Sequence, residues 1–198
     1  MHNYTEEELR LLFDKTGINT VIDLRAIDEA KAKGYAVNAQ GEIKLNRSNG
    51  KVDYYSVAIK PWTVKKVPAD ITPVFRYVTS FTEDTSYGFY EIFPRYFQRE
   101  IFEVLDILKD SKVPVLVHCN LGKDRTGCIV ALIQELLGFS AKEITAEYML
   151  SGRGCFLKNI QTFMDVITEY GGVEKYLNVL GFTDEEVAEL KSQFAVSS

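Results

Sequence analysis

Cys119 and Arg125 stand six positions apart in the run His118-Cys119-Asn120-Leu121-Gly122-Lys123-Asp124-Arg125-Thr126-Gly127. A short apolar, β-branched stretch, VPVLV at 113–117, comes before it. An apolar segment from Arg125 to Leu137 comes after it. A strand therefore feeds a loop that opens a helix. Backbone N–H groups in such a loop can turn inward, and the helix N-terminus adds partial positive charge. A ring of amides of this kind binds a tetrahedral oxyanion. Such a ring of amides and the helix dipole favour the thiolate form of a cysteine at its base. Cys119 would then be a nucleophile without a partner base. Arg125 closes the loop and can grip two oxygens with its planar fork. Gly122 and Gly127 permit tight backbone and close packing. Thr126 can offer its hydroxyl to the sulfur.

The chemistry implied is phosphoryl transfer in two steps: attack by the thiolate, then hydrolysis of a phosphocysteine by water. The leaving oxygen needs a proton, and Asp124 is the nearest acid in sequence. No metal or other cofactor is expected. The two histidines, His2 and His118, have no ligand spacing.

The rest of the chain must hold that loop. It has 198 residues and is 46% hydrophobic, enough for one domain, 1–198, with a full core. The net charge of −5 argues against nucleic acid as a partner, while a local pocket can still take a small anion. No apolar run is long enough for an integral membrane segment, and the N-terminus lacks the pattern of a signal peptide. Three cysteines do not make a disulfide framework. A cytoplasmic location is the default reading, with signal-free secretion left open.

Thr5 and Glu8 predict a helix over 6–16, stopped by Gly17. INTVIDLR (18–25) and KVDYYSVAI (51–59) read as strands, with 34–50 as loop or a ragged hairpin. Apolar positions at helical spacing predict a helix over 91–110, with Pro94 in its first turn. Helices follow from Arg125 to Leu137, after Ser140, over 156–170 and 173–180, and after Thr183. The order predicts an α/β fold: a central, mostly parallel sheet flanked by helices, with a helical C-terminal third.

The run HCNLGKDRTG (118–127) resembles the signature loop of the cysteine-dependent protein tyrosine phosphatase superfamily. It is most similar to the bacterial-type tyrosine/serine phosphatases whose loop reads HCxxGKDRTG. TVIDLR (20–25) and GGVEKYLNVLGFTDEEVAELKSQF (171–194) are supportive matches. The resemblance implies a protein tyrosine phosphatase-like fold. It also implies Cys119 as nucleophile, Arg125 as phosphate clamp, Asp124 as acid and Lys123 as added charge beside the phosphate. Asn120, Leu121, Gly122, Thr126 and Gly127 complete the substrate-binding loop. Substrates in that group are phosphotyrosine, phosphoserine/threonine and phosphoinositides, so the expected partner is a phosphorylated protein or a phosphoinositide, with transient contact to a membrane surface. Lys123 also resembles the loop lysine of lipid 3-phosphatases.

This chain departs from the pattern in places. Leu121 stands where alanine is usual. There is no Trp-Pro-Asp acid loop, so Asp84 in FTEDTSYGFY remains the alternative acid. The competing function is a catalytically weak phospho-binding module, although this chain keeps Cys119, Arg125 and an acid. A nucleotide-binding loop is excluded, because Gly122-Lys123 is followed by Asp124 rather than Ser or Thr. Cys128 reads as packing and Cys155 as an exposed thiol. His118 reads as a buttress for the loop, and Asp23 with Arg25 as a structural ion pair. KPWTVKK (60–66) and Arg153 read as a rim for acidic substrates or lipid, or as solvated loop. Tyr87 and Tyr90 near the acid candidates read as packing.

Overall fold

The computed structural model describes residues 5–36, 38–40, 42–60, 87–111, 114–152 and 154–195. Helix α1 (Glu6–Thr16) opens on the expected capping box. The Thr5 side chain accepts from the Glu8 amide, and the Glu8 carboxylate accepts from the Thr5 N–H at 2.7 Å. Gly17, at φ 71°, ends it with its N–H on the Phe13 carbonyl. Strand β1 (Thr20–Asp23) is buried along its whole length. It lies between β3 (Gly50–Ser56) and β4 (Val115–His118), parallel to both. Strand β2 (Leu45–Arg47) runs antiparallel to β3, so of the segment read as loop or ragged hairpin over 34–50 only the end pairs, with the strand expected after it. The sheet order is β2-β3-β1-β4.

Successive residues of β1 point to opposite faces, and each face has its own core. Val21 packs with Leu9 and Phe13 of α1. Ile22 joins the larger cluster made with the later helices. Burying either side chain stabilises the fold by about 1.5–3 kcal/mol. The sheet is therefore covered on both sides, as a parallel core strand requires.

A short helix, α2 (Ile27–Ala32), follows β1; the sequence reading did not assign it. The single helix expected over 91–110 is two, α3 (Tyr87–Tyr96) and α4 (Gln98–Asp110). Pro94 falls in the last turn of α3, not in a first turn. With no N–H it removes one rung of the ladder inside that turn, while the Phe97 N–H still reaches the Phe93 carbonyl at 3.2 Å. The C-terminal third is helical as expected: α5 (Arg125–Leu136), α6 (Ala141–Met149), α7 (Leu157–Glu169), α8 (Val173–Leu180) and α9 (Asp184–Phe194). Ser140 and Thr183 cap α6 and α9 in capping boxes with Glu143 and Glu186. Among the described residues, no helix is long and apolar enough to cross a membrane.

Candidate active site

Strand β4 ends at His118, Cys119 is 3% exposed, and the loop 120–124 turns directly into α5. Gly122 makes the turn at φ 75°, where a side chain would be strained. Among the described residues, no acceptor pairs with the backbone N–H groups from Asn120 to Thr126. The first paired amide is that of Gly127, on the Lys123 carbonyl. A run of unpaired main-chain donors at the head of a helix, next to a cysteine, can cup an oxyanion. Asn120 Oδ1 and Thr126 Oγ1 are buried there without a protein partner. Buried polar atoms are rarely left unpaired, so both are open to a ligand.

Arg125 is 8% exposed and firmly placed. Its Nη1 donates to the carbonyls of Leu24 and Ile59 and to Glu29 Oε2, each at 3.1 Å. Its Nη2 donates to Glu29 Oε1 at 3.1 Å. Glu29 is itself fixed, since its Oε2 accepts from the Ala26 N–H that begins α2. Nε–H and the second Nη2–H have no acceptor among the described residues, so one edge of the guanidinium is left to grip two oxygens. Glu29 was not among the candidates read from sequence. Its only local signal is an acidic residue in the first turn of a short helix.

Lys123 is brought to the loop but turned aside. It is 6% exposed, its Nζ donates to the Gly154 carbonyl at 2.8 Å, and it lies 3.7 Å from Asp124 Oδ1. Asp124 stands at the N-cap of α5 without making a capping bond. A capping bond is typically worth ~1 kcal/mol, so the carboxylate is held by something else. That partner is Tyr90, whose hydroxyl donates to Asp124 Oδ1 at 2.6 Å. Leu121, 65% exposed, stands on the lip of the loop. Gly127 is a packing glycine, because a β-carbon there would meet the Tyr148 ring at 3.2 Å.

Behind the loop, His118 places Nδ1 3.1 Å from the Cys119 carbonyl, to which its N–H donates. Nε2 lies 3.5 Å from both the Tyr35 hydroxyl and Asp23 Oδ2. Burial holds this imidazole below the ordinary histidine range, with Asp23 opposing. His118 therefore buttresses the loop as a neutral ring. Asp23 and Arg25 form the expected ion pair, supported by the Tyr54 hydroxyl on Asp23 Oδ2 at 3.0 Å. Cys128 is buried and close enough to Cys119 and Asp124 to feel their charge. Burial pushes its thiol well up. Cys155 is not the exposed thiol expected from sequence; it is 6% exposed, and burial pushes it up as well. Asp84, Trp62 and the rest of KPWTVKK after Lys60, and Arg153, lie outside the described residues. Lys60 lies 3.8 Å from Asp28. Among the described residues, no group of three or more His, Cys, Asp or Glu side chains converges as a metal set.

The model of a family described as "Tyrosine phosphatase family" matches residues 1–161. The triple specificity protein phosphatase PtpB of Mycobacterium tuberculosis is 44% identical over 54 residues, 27% of this chain and 19% of that protein. The inositol diphosphatase SIW14 of Saccharomyces cerevisiae is 43% identical over 42 residues, 21% of this chain and 15% of that protein. A tyrosine-protein phosphatase of Nostoc commune is 23% identical over 212 residues, 88% of this chain and 65% of that protein. The chain thus spans less than a fifth of the first two relatives and just under two thirds of the third. Among solved structures, the core catalytic domain of the PP-IP phosphatase SIW14 in complex with citrate aligns with a TM-score of 0.45 at 17% identity. That alignment covers 89% of this chain and 86% of the other.

Proposed function

This chain belongs to the tyrosine phosphatase family, and from that premise we propose that residues 1–198 form one phosphatase domain that hydrolyses phosphomonoesters through a phosphocysteine. The observation that carries this reading is the cup of unpaired amides from Asn120 to Thr126, set beside Cys119 and the open edge of Arg125. Three phosphoryl oxygens in the cup would be met by main-chain donors and by the guanidinium. Charge spreading over them in the transition state would be stabilised by groups already in position.

In the first step the Cys119 thiolate attacks phosphorus and the ester P–O bond breaks. Asp124 gives its proton to the leaving oxygen. In the second step Asp124 takes a proton from water as its oxygen attacks phosphorus. The P–S bond breaks, and inorganic phosphate leaves with the thiolate restored. Positioned acid–base transfer contributes typically ~10²–10⁴-fold. Thr126, buried with a free hydroxyl, would donate to the sulfur as it leaves.

The preferred substrate is an aryl phosphate such as phosphotyrosine, with phosphoserine/threonine and phosphoinositides as further candidates. Two features support that order. Arg125 already faces the Glu29 carboxylate, and Lys123 is turned onto the Gly154 carbonyl, so the described part of the pocket suits a monophosphate better than a polyanionic headgroup. Leu121 gives the lip an apolar surface on which a ring can rest.

Purified protein should hydrolyse p-nitrophenyl phosphate with a chelator present and no added metal, and phosphotyrosine peptide faster than phosphoserine peptide or phosphoinositide. Cys119→Ser should bind phosphotyrosine peptide and release no phosphate. Retention of most turnover by that variant would rule out the covalent route. Binding without turnover by the unaltered protein would instead identify a phospho-binding module.

A further inference from the structure

The Tyr90 hydroxyl donates to Asp124 Oδ1 at 2.6 Å, and the Tyr148 hydroxyl lies 2.6 Å from that of Tyr90. Tyr90 has a single hydroxyl proton, and it is spent on Asp124. With that proton on Asp124, the second bond is closed by Tyr148 donating to Tyr90, and the Tyr148 hydroxyl is also met by Asn159 and Cys155. The rings come from α3 and α6, are 1% and 2% exposed, and meet edge to face with centroids 6.0 Å apart. The Tyr148 ring is also wedged against Gly127. Burial pushes both phenols well above the ordinary tyrosine range, so they remain protonated donors.

Packing alone does not require this arrangement. Tyr176, equally buried, satisfies its hydroxyl on the Pro94 carbonyl. Tyr90 and Tyr148 are aligned in series on a side chain of the loop. Lys123 approaches the same oxygen, Oδ1, at 3.7 Å. Oδ2 has no partner among the described residues, so it is the oxygen on which a transferable proton can sit.

We propose that Tyr90, backed by Tyr148, is a positioning residue that holds Asp124 by Oδ1 and leaves Oδ2 to carry the proton. This rests on the reading of Asp124 as the acid. As the Cys119 S–P bond forms and the ester P–O bond breaks, the Oδ2 proton passes to the leaving oxygen and Asp124 becomes negative. The Tyr90 hydrogen bond then strengthens, because a bond to an ionised acceptor is about twice as strong as a neutral one. The gain develops with the proton transfer, so it favours the transition state over the bound substrate.

The test is turnover of a series of aryl phosphates, from p-nitrophenyl phosphate to phenyl phosphate, by Tyr90→Phe, Tyr148→Phe and Asp124→Asn. The p-nitrophenolate leaving group needs little protonation; phenolate needs it. Tyr90→Phe is expected to lose roughly tenfold in kcat on phenyl phosphate and less than about threefold on p-nitrophenyl phosphate, with KM unchanged. Tyr148→Phe should give the same split, smaller, and serves if Tyr90→Phe folds poorly. A merely structural role would lower both substrates alike, and that result overturns the inference. A split in Asp124→Asn that is absent from both tyrosine variants overturns this inference alone. No split in Asp124→Asn overturns the assignment of the acid, and this inference with it.

Discussion

Asp23 and Arg25, two residues apart at the end of β1, form an ion pair at 2.7 Å with exposures of 0% and 2%. Arg25 Nε also donates to the Asp23 carboxylate, the Arg25 N–H donates to Oδ1, and the guanidinium lies 4.5 Å over the Tyr35 ring. Removing one member of such a pair leaves the other charge buried and unpaired, at a cost of about 3–5 kcal/mol. Asp23→Ala should therefore lower unfolding stability by an amount in that range, measured in urea. A loss below about 1 kcal/mol would mean that water reaches Arg25 and that the pair is not sealed.

Glu29 should matter to turnover without touching the substrate. Glu29→Ala frees Arg125 to rotate, and a misplacement of about 1 Å can cost ~10²-fold. We expect kcat/KM on p-nitrophenyl phosphate to fall at least ~10-fold, and stability to fall by about 1–3 kcal/mol. Wild-type kcat/KM in the variant would show that the two carbonyls hold the guanidinium unaided.

Two glycines of the loop should fail for different reasons. Gly122 sits at φ 75° with nothing within 4 Å of a β-carbon, so Gly122→Ala meets only backbone strain, about 1–2 kcal/mol. Gly127→Ala drives a methyl against Tyr148 at 3.2 Å. Overpacking of that kind typically costs about 1–3 kcal/mol. Gly127→Ala should recover most of that loss when combined with Tyr148→Leu, whereas Gly122→Ala should not. Simple additivity of both pairs would contradict the contact.

Mild acid should act on His118 and Glu135 in opposite senses. Burial keeps the His118 pKa below its ordinary 6.5, so the folded state binds fewer protons than the unfolded one. That contribution is present above pH 6.5 and is lost as pH falls through 6.5 toward the folded value. Burial raises the Glu135 pKa above 4.5, so its unfavourable ionisation is relieved as pH falls through the folded value toward 4.5. Urea melts between pH 7.5 and 5 should show His118→Asn losing less stability on acidification than wild type, and Glu135→Gln losing more. Identical pH slopes in all three would show that neither shift is real.

Local signals carried much of the fold. The capping boxes at Thr5, Ser140 and Thr183 place three helix starts to the residue, because each is written within four positions. The loop, too, is contiguous and could be read whole. Its supports were not legible. Glu29 is 96 residues from Arg125, and Tyr148 is 58 from Tyr90, so nothing local distinguishes them from surface acid and core aromatic. Tyr90 reads as packing, and its bond to Asp124 emerges only when α3 crosses behind the loop. Likeness alone assigns Lys123 to the phosphate. The turn that supplies its carbonyl acceptor at Gly154 lies 31 residues on and has no pattern of its own.

On the proposed reading, the site must also let its product go. Arg125 has surrendered much of its hydrogen-bonding capacity and part of its charge to Glu29 and two carbonyls. A guanidinium compromised in this way retains a departing inorganic phosphate less tenaciously than a bare one. On the proposed reading, the same carboxylate that aims the fork would also ease the release of inorganic phosphate.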